Sequence, residues 1–279
     1  MIPKVYPPES RTMITLEVRR RAFVTPGFAN VTLGGPAVWD LVVAGNDQAV
    51  RLFFPREGQT ALRMPTVSNE AWIAQLMLLP KSVRPWVRNL TIRRVRPADD
   101  EIDIEFAVHG DSPMSSWVRR AEPGAPAGIF DVGTMYRLPE HADAQLLIGD
   151  ETALPAILSI LDGTPPDLAT EVYLEVASAA DIRPVEVPAG ARVHWLSRDG
   201  EDLRPGGPNP DEELRPGALV LDAVRRAALP LPPGRFYTWV AGESRLATSV
   251  RRHLVNDRGV PKRDVSFVGY WRLGRSSPG

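Results

Sequence analysis

The stretch LLIGDETALPAIL, residues 146 to 158, decides the fold of the second half of the chain. An apolar run breaks at a glycine and continues through two acids and a threonine into an apolar helix, which is the pattern of a strand, a turn and a helix. A helix start has unpaired N–H groups and a partial positive charge, so it can bind a phosphate or an acidic side chain. Asp150 and Glu151 therefore either cap this helix or border a bound nucleotide. The turn matches neither GxGxxG nor the P-loop pattern.

Strands and helices alternate from about residue 142 onward. Short runs rich in Val, Ile and aromatic residues are mostly separated by helix-like stretches, which predicts a parallel sheet covered by helices on both faces. The pattern changes near residues 136–144, from strands alone to strands alternating with helices. We therefore predict two domains, residues 1–140 and residues 141–279. Residues 197–217 are rich in proline, glycine and charge, and we expect them to form a surface loop.

The first half of the chain has the two-residue period of strands. Ile14, Leu16 and Val18 alternate with polar residues, and residues 102–108 repeat the pattern. Glycine and proline separate such runs, which predicts an antiparallel sheet. A closed barrel is its simplest form, because closure removes unpaired strand edges. Residues 68–79 are predicted to form one short helix between strands.

The composition excludes several classes of function. The 279 residues carry 33 Lys and Arg against 34 Asp and Glu, so no global field favours nucleic acid or an anionic membrane. The chain has no cysteine, so redox chemistry would need a bound cofactor. The first residues do not resemble a signal peptide, and no apolar run reaches the roughly 20 residues of a membrane helix. We therefore expect a cytoplasmic protein without membrane insertion.

A basic strand in the first half is a candidate for binding phosphate groups. In RNLTIR, residues 88–93, strand geometry puts Arg88 and Leu90 on one face, and Thr91 and Arg93 on the other. Two arginines beside a threonine suit a diphosphate, because guanidinium groups bind phosphate oxygens in pairs. An exposed basic strand end explains the same residues equally well.

The remaining polar residues give weaker signals. In HGDSPMSSW, residues 109–117, small hydroxyl residues precede a helix-like segment, where they act either as helix caps or as phosphate ligands. GxSxG is absent, and Ser115 and Ser116 have no evident base partner, which argues against a hydrolase. A metal site is not expected, because the histidines are scattered without ligand spacing: His109, His141, His194 and His253.

Several motifs, taken in order and spacing, resemble those of the siderophore-interacting proteins, a family of flavin-dependent ferric-siderophore reductases related to ferredoxin reductases. The strongest match is GDETALPAI, residues 149–157, and RNLTIR resembles the family's Arg-x-Tyr-Thr-x-Arg flavin motif. The other segments that carry the resemblance are VRLFFP at 50–55, DIEFAVHGDSPMSSW at 103–117, WVAGE at 239–243, RRHLV at 251–255 and GYWRLG at 269–274.

The resemblance implies a two-domain, ferredoxin-reductase-like fold, with an FAD-binding barrel and an α/β domain that binds NADPH or NADH. It implies NAD(P)H-dependent reduction of ferric siderophores and release of Fe(II), with the chemistry borne by the cofactors rather than by catalytic side chains. The implied flavin-binding residues are Arg88, Thr91, Arg93, His109, Ser115 and Trp117. The implied nucleotide-binding residues are Gly149, Asp150, Glu151, Thr152, Ala153, Trp239, Gly242 and Glu243. Arg51 and Arg272 are candidates for holding an anionic siderophore.

The flavin half departs from the family pattern. Leu90 replaces a tyrosine expected to pack on the flavin ring, Met114 replaces a small residue, and Phe130 with Asp131 replaces a Gly-Pro pair. A second hypothesis therefore stays open, in which the scaffold serves a biosynthetic reaction or binds a small organic molecule, possibly without flavin. We expect that a barrel groove filled by Leu90 or Phe130 would exclude the flavin ring.

Overall fold

The computed structural model describes residues 5–200, 215–228, 230 and 232–275. These residues form two compact units, Val5–Thr134 and the described residues from Met135 onward, and each is described by itself. Most of the predicted loop at 197–217 lies outside the described residues.

The first unit contains an antiparallel barrel. In the part of the chain that the structure describes, six strands close this barrel in the order β1-β2-β5-β4-β3-β6. Each neighbouring pair is antiparallel, including the closing pair of β1 and β6, which confirms the predicted barrel. The strands are β1 (Met13–Thr25), β2 (Phe28–Gly34), β3 (Ala49–Phe54), β4 (Trp86–Arg96), β5 (Glu101–Ala107) and β6 (Pro126–Gly133).

The two-residue period places apolar side chains inside the barrel. Ile14, Leu16 and Val18 pack in its core together with Ile102 and Ile104. The polar residues between them do not all face water, however. Asp103, in β5, is buried, and its carboxylate accepts hydrogen bonds from Thr32 Oγ1 at 2.6 Å and from the Arg96 guanidinium. Alternation alone therefore identified the apolar face of β5, whereas the buried ion pair depends on partners from other strands.

Two helices accompany the barrel. The predicted helix between strands is α1 (Trp72–Leu78), and α2 (Pro113–Arg120) follows β5. Trp72 and Leu76 of α1 cover a second apolar cluster that includes Phe53, Val87 and Phe130. Trp72 and Phe130 have ring centroids 6.1 Å apart. Phe130, which departs from the family pattern, is thus a packing residue of this outer cluster.

The second unit contains a parallel sheet in the order β11-β10-β7-β8-β9. Its neighbouring strands are all parallel, which confirms the predicted α/β architecture. The strands are β7 (Ala144–Gly149), β8 (Ala169–Val176), β9 (Ala191–Ser197), β10 (Phe236–Glu243) and β11 (Val265–Trp271). The helices are α3 (Leu154–Asp162), α4 (Ala218–Arg226) and α5 (Ser244–Arg252). Among the described residues, no helix is long and apolar enough to cross a membrane.

The strand order reverses between β7 and β10. The chain runs outward from β7 to β8 and β9, and then returns to the other side of β7 as β10. Gly149 at the end of β7 pairs with Ala241 near the end of β10. Ligands of open parallel sheets collect outside the carboxyl ends of strands at such a reversal point. The fold therefore places the turn at residues 149–153 and the end of β10 where a ligand of this sheet is expected.

Candidate functional site

Asp150 links the strands on both sides of this reversal point. Its carboxylate is fully buried and accepts hydrogen bonds from Thr152 N at 2.9 Å and Thr152 Oγ1 at 2.6 Å. It also accepts hydrogen bonds from Glu243 N at 2.6 Å and from Trp271 Nε1 at 3.0 Å. Burial, together with the negative charge of Glu151, raises the pKa of Asp150 to about 6. One carboxylate therefore connects β7, β10 and β11.

The end of β10 leaves no room for a side chain beside this carboxylate. Gly242 has a φ of 133°, and a Cβ atom at this position would lie 2.6 Å from the Asp150 carboxylate. The next residue, Glu243, caps α5 by accepting hydrogen bonds from Arg245 N and Leu246 N, and its other oxygen accepts one from Leu273 N at 3.2 Å. A side chain at residue 242 would thus displace the acid that joins the strands.

A second group of acids surrounds Arg198, just beyond β9. The Arg198 guanidinium donates two hydrogen bonds to Glu151, at 2.6 and 3.0 Å, and one to Glu175 Oε1 at 2.8 Å. Glu175 is buried and also accepts hydrogen bonds from Gly217 N and Val220 N, so it caps α4. Burial alone would lower the pKa of Arg198, but its bonds to the two carboxylates outweigh burial and raise it.

These contacts explain why the turn carries acids where a phosphate site would carry glycines and a lysine. Asp150, Glu175 and Glu243 each accept hydrogen bonds from backbone N–H groups at or beside the start of a helix. Those N–H groups are what a phosphate would bind at a helix start. The chain's own carboxylates already occupy these groups at the starts of α4 and α5. Asp150 instead binds Thr152 N, two residues before α3, whose start has no side-chain cap. A phosphate at the start of α4 or α5 would therefore have to displace a carboxylate of the chain.

The remaining predicted residues of this unit lie at or under the same edge. A Cβ atom on Gly149 would lie 2.5 Å from the Ala153 side chain, so this glycine allows close packing of β7 against the turn before α3. Trp239 is fully buried in β10, and its indole meets Tyr270 edge-on with ring centroids 6.4 Å apart. Arg272 is exposed just after β11. Their contacts with a cofactor or substrate remain predictions.

In the barrel unit, the predicted basic strand is β4. Arg88 is partly buried, and its guanidinium carbon lies 5.2 Å from the centroid of the Trp86 ring. Leu90 packs against the barrel core, while Thr91 is buried and pairs with Ala49 of β3. Arg93 is partly buried. The strand thus brings Arg88 and Leu90 to the same face, as its period predicts.

Hydrogen bonds between residues 109 and 115 fix the conformation of the segment that leads into α2. Ser112 caps α2 by accepting a hydrogen bond from Ser115 N. Ser115 is buried, and its hydroxyl accepts a hydrogen bond from His109 N at 3.2 Å and donates one to His109 O at 3.0 Å. Trp117 packs in the barrel core against Phe54 and Phe106. Ser115 and Trp117 therefore shape this segment, and their flavin contacts stay predictions.

Arg51 lies on β3, where the sequence suggested a ligand-binding cation. Its guanidinium carbon is 5.9 Å from the centroid of the Trp72 ring, and it donates a hydrogen bond to Asn89 Oδ1. Burial lowers its pKa. Nearby, Arg11 lies over the Phe130 ring at 5.2 Å and pairs with Glu70.

Sequence reasoning missed several residues of these sites. Arg198 and Glu175 were not singled out, since their partners lie on other strands and no local pattern marks them. Trp86 was also missed, although it lies two residues before Arg88 and therefore on the same strand face. That spacing was the available signal.

Two family models together match most of the chain. One, described as siderophore-interacting FAD-binding domain, matches residues 17–134. The other, described as siderophore-interacting protein, matches residues 142–274.

Individual relatives agree with these matches. The solved structure of a siderophore utilization protein from T. fusca is 30% identical, with a TM-score of 0.79 over 100% of this chain and 98% of that chain. Ferric vibriobactin reductase ViuB of Vibrio cholerae is 27% identical over 262 residues, which are 94% of this chain and 90% of ViuB. A ferredoxin NADP+ reductase from Neisseria gonorrhoeae, solved with bound FAD and NADP, is 14% identical at a TM-score of 0.60 over 93% of this chain and 99% of that chain. This last likeness shows a shared fold alone.

Proposed function

Because the chain belongs to the siderophore-interacting protein family, we propose that it is an NAD(P)H-dependent flavin reductase of ferric siderophores. Residues 1–140, which include the barrel, are the proposed FAD-binding domain, and residues 141–279 are the proposed NAD(P)H-binding domain. The observation that carries the proposal is Arg88 on β4. Its guanidinium is partly buried beside Trp86 in the segment that corresponds to the family's flavin motif.

The hydrogen-bond donors of Arg88 support FAD as the cofactor of the barrel. Arg88 donates a hydrogen bond to Val87 O at 2.7 Å, and its other N–H groups have no partner among the described residues. A half-buried guanidinium of this kind suits a diphosphate oxygen, since charge-assisted bonds are strongest away from bulk water. Arg88 would therefore hold the diphosphate, with Thr91 and Arg93 on the opposite face of the same strand.

In the second unit, the reversal point of the sheet supports a nicotinamide nucleotide. Because carboxylates occupy the starts of α4 and α5, we assign Glu175 and Glu243 to shaping the edge rather than to binding phosphate. Asp150 and Gly242 hold the ends of β7 and β10 together. Thr152 and Ala153 would border the nicotinamide side.

When bound, FAD would convert the two-electron donor NAD(P)H into a source of single electrons for ferric iron. The chain's own task is to bind and orient its ligands. Arg51 and Arg272 would attract the anionic siderophore. Ferrous iron binds hard oxygen ligands less tightly than ferric iron does, so reduction would release it.

A flavin-free role on a small organic molecule is the second candidate. Leu90 supports it, because this side chain packs against the barrel core where the family pattern has a tyrosine for the flavin ring. Phe130 supports it as well, since its ring is buried beneath Trp72.

One experiment separates the two candidates. The purified protein is titrated with FAD while its visible absorbance is recorded, and NADPH or NADH is then added without oxygen, followed by a ferric siderophore and a chelator that colours with Fe(II). We expect flavin absorbance, bleaching by a nicotinamide nucleotide, and Fe(II) formation. A protein that takes up no FAD would contradict the reductase proposal and favour the flavin-free role.

A further inference from the structure

Three arginines lie near the start of β4 without a carboxylate partner among the described residues of the barrel unit. The guanidinium carbon of Arg56 is 3.7 Å from the centroid of the Trp86 ring, and that of Arg88 is 5.2 Å from it. Arg56 Nε donates a hydrogen bond to Arg84 O at 2.7 Å. The Arg84 guanidinium itself donates to the carbonyl oxygens of Met77 and Leu79. All of these hydrogen bonds leave the positive charges uncompensated.

Another arginine of the same unit shows the opposite arrangement. Arg96 donates hydrogen bonds to Glu101 and Asp103, and these bonds raise its pKa. For Arg56 and Arg88, burial lowers the pKa, and the positive charge of a neighbouring arginine lowers it further. The chain therefore neutralises a structural arginine with acids but leaves this pair unneutralised, which is the electrostatic condition of an anion-binding site.

The pair also retains its hydrogen-bond donors. A guanidinium has five N–H groups in one plane, and stacking on an aromatic ring occupies its face rather than its edge. Among the described residues, the terminal nitrogens of Arg56 have no hydrogen-bond partner, and Arg88 uses one of its terminal nitrogens for Val87 O. Both guanidinium carbons lie within 5.2 Å of the centroid of one indole ring, and the charge of Arg56 lowers the pKa of Arg88, so the two groups are neighbours that one ligand with two adjacent phosphates would suit.

We propose that Arg56 and Arg88 form a clamp for the diphosphate of a dinucleotide, and that Trp86 is the positioning residue that holds Arg56 beside Arg88. That the dinucleotide is FAD rests on the proposed function. The new element is the second guanidinium, which comes from the segment after β3 rather than from the basic strand itself.

The clamp predicts a loss of affinity that is confined to ligands with phosphate groups. Binding of FAD, ADP and riboflavin is measured by isothermal titration calorimetry for the wild type, Arg56→Gln and Arg94→Gln, an exposed arginine of β4 that serves as the matched control. We expect Arg56→Gln to lower the affinities for FAD and ADP at least ten-fold and to leave the affinity for riboflavin unchanged. Arg94→Gln should bind all three like the wild type. Arg56→Lys keeps the charge but loses the planar guanidinium. Its affinities for FAD and ADP should lie between those of the wild type and of Arg56→Gln.

The positioning role of Trp86 has its own test. Trp86→Phe keeps an aromatic face for Arg56, whereas Trp86→Leu removes it. The Leu variant should resemble Arg56→Gln, and the Phe variant should bind nearly as the wild type does. Equal loss of riboflavin and FAD affinity in the Leu variant would indicate general damage to the barrel and would overturn the positioning role.

The outcomes distinguish the clamp from the proposed function. ADP binding that depends on Arg56, in a protein that binds no FAD, would support the clamp and contradict the flavin reductase. FAD bound equally well by the wild type and Arg56→Gln would overturn the clamp and leave the reductase standing. A wild type that binds neither ADP nor FAD would overturn both.

Discussion

Two residues represent the two kinds of site in this protein. Arg88 is a cation with unused donors beside an indole ring, so it is suited to bind an anion from outside the chain. Asp150 is an acid whose carboxylate accepts four hydrogen bonds from other residues of the chain, so it is satisfied inside the chain. The first kind of residue is expected to change ligand affinity when it is replaced, and the second kind to change folding.

Arg88→Ala is therefore a test of binding. We expect FAD affinity to fall by about 1 to 3 kcal/mol, because a charge-assisted bond to the diphosphate is lost. The measurement is a fluorescence titration of FAD, with circular dichroism as the control for folding. Unchanged flavin affinity would show that Arg88 does not contact the diphosphate.

Asp150→Asn tests how the contribution of Asp150 to folding stability depends on pH. Burial raises the pKa of Asp150 to about 6, above the roughly 3.9 of an unfolded aspartate, so the folded state binds this proton more tightly. Its contribution therefore stabilises the fold at low pH and is lost as the pH rises from about 4 to about 6.

The comparison uses thermal unfolding midpoints of the wild type and Asp150→Asn between pH 4 and 8. The difference, wild type minus variant, should decrease across the lower part of this range and become constant above about pH 7. Titrating groups that do not interact with Asp150 cancel in this difference, whereas Glu151, its charged neighbour, does not. Parallel curves throughout would mean that Asp150 keeps an ordinary pKa in the folded protein.

At the scale of elements, acids cap two helices of the second unit, with Glu175 at α4 and Glu243 at α5. Local patterns predicted the helix after the turn at residues 149–153, which is α3, and helix-like stretches between the later strands, where α4 and α5 lie. The same patterns could not predict that Glu175, on β8, caps α4, since 42 residues separate it from Gly217. A capping residue that is distant in sequence produces no recognisable pattern in the residues near the helix that it caps. The sequence therefore predicted the elements but not the contacts that join them.

Glu175→Ala tests this cap. The change removes two acceptors from the start of α4 and leaves Arg198 with Glu151 as its carboxylate partner. The change leaves the buried N–H groups of Gly217 and Val220 without their acceptor, and an unsatisfied buried donor costs about 1 to 3 kcal/mol, so we expect a destabilisation of at least that order. Urea unfolding measures the loss, and hydrogen exchange at Gly217 and Val220 should accelerate.

The matched control is Asp222→Ala on the same helix. Asp222 forms an exposed ion pair with Arg226 at 2.9 Å, and such pairs contribute about 0.5 kcal/mol or less. Equal losses in Glu175→Ala and Asp222→Ala would contradict the capping role.

At the scale of the whole molecule, the near-zero net charge decides how an anion can be bound. The formal net charge is −1, so attraction of an anionic ligand would have to come from local groups, and Arg51 is one that we propose for this role. The sequence predicted the two architectures because hydrophobic periods are local. It could not predict that Arg51 lies over Trp72, since the two residues meet only when β3 and α1 come together.

Arg51→Gln tests this local attraction. We expect the affinity for an anionic ferric siderophore to fall by about 1 to 3 kcal/mol, and that for an uncharged one to change little. Intrinsic fluorescence quenching at two salt concentrations provides the measurement. Equal losses for both siderophores would indicate a change of shape rather than of charge.

The shared carboxylate of Asp150 also constrains how related sequences can vary. It fills the space that a side chain at residue 242 would need, and it accepts the indole N–H of Trp271. A larger residue at 242 is tolerable only together with a smaller one at 150, which would in turn leave the indole N–H unsatisfied. Positions 150, 242 and 271 should therefore covary across homologues, and an alignment in which they drift independently would show that this three-way contact is not under common selection.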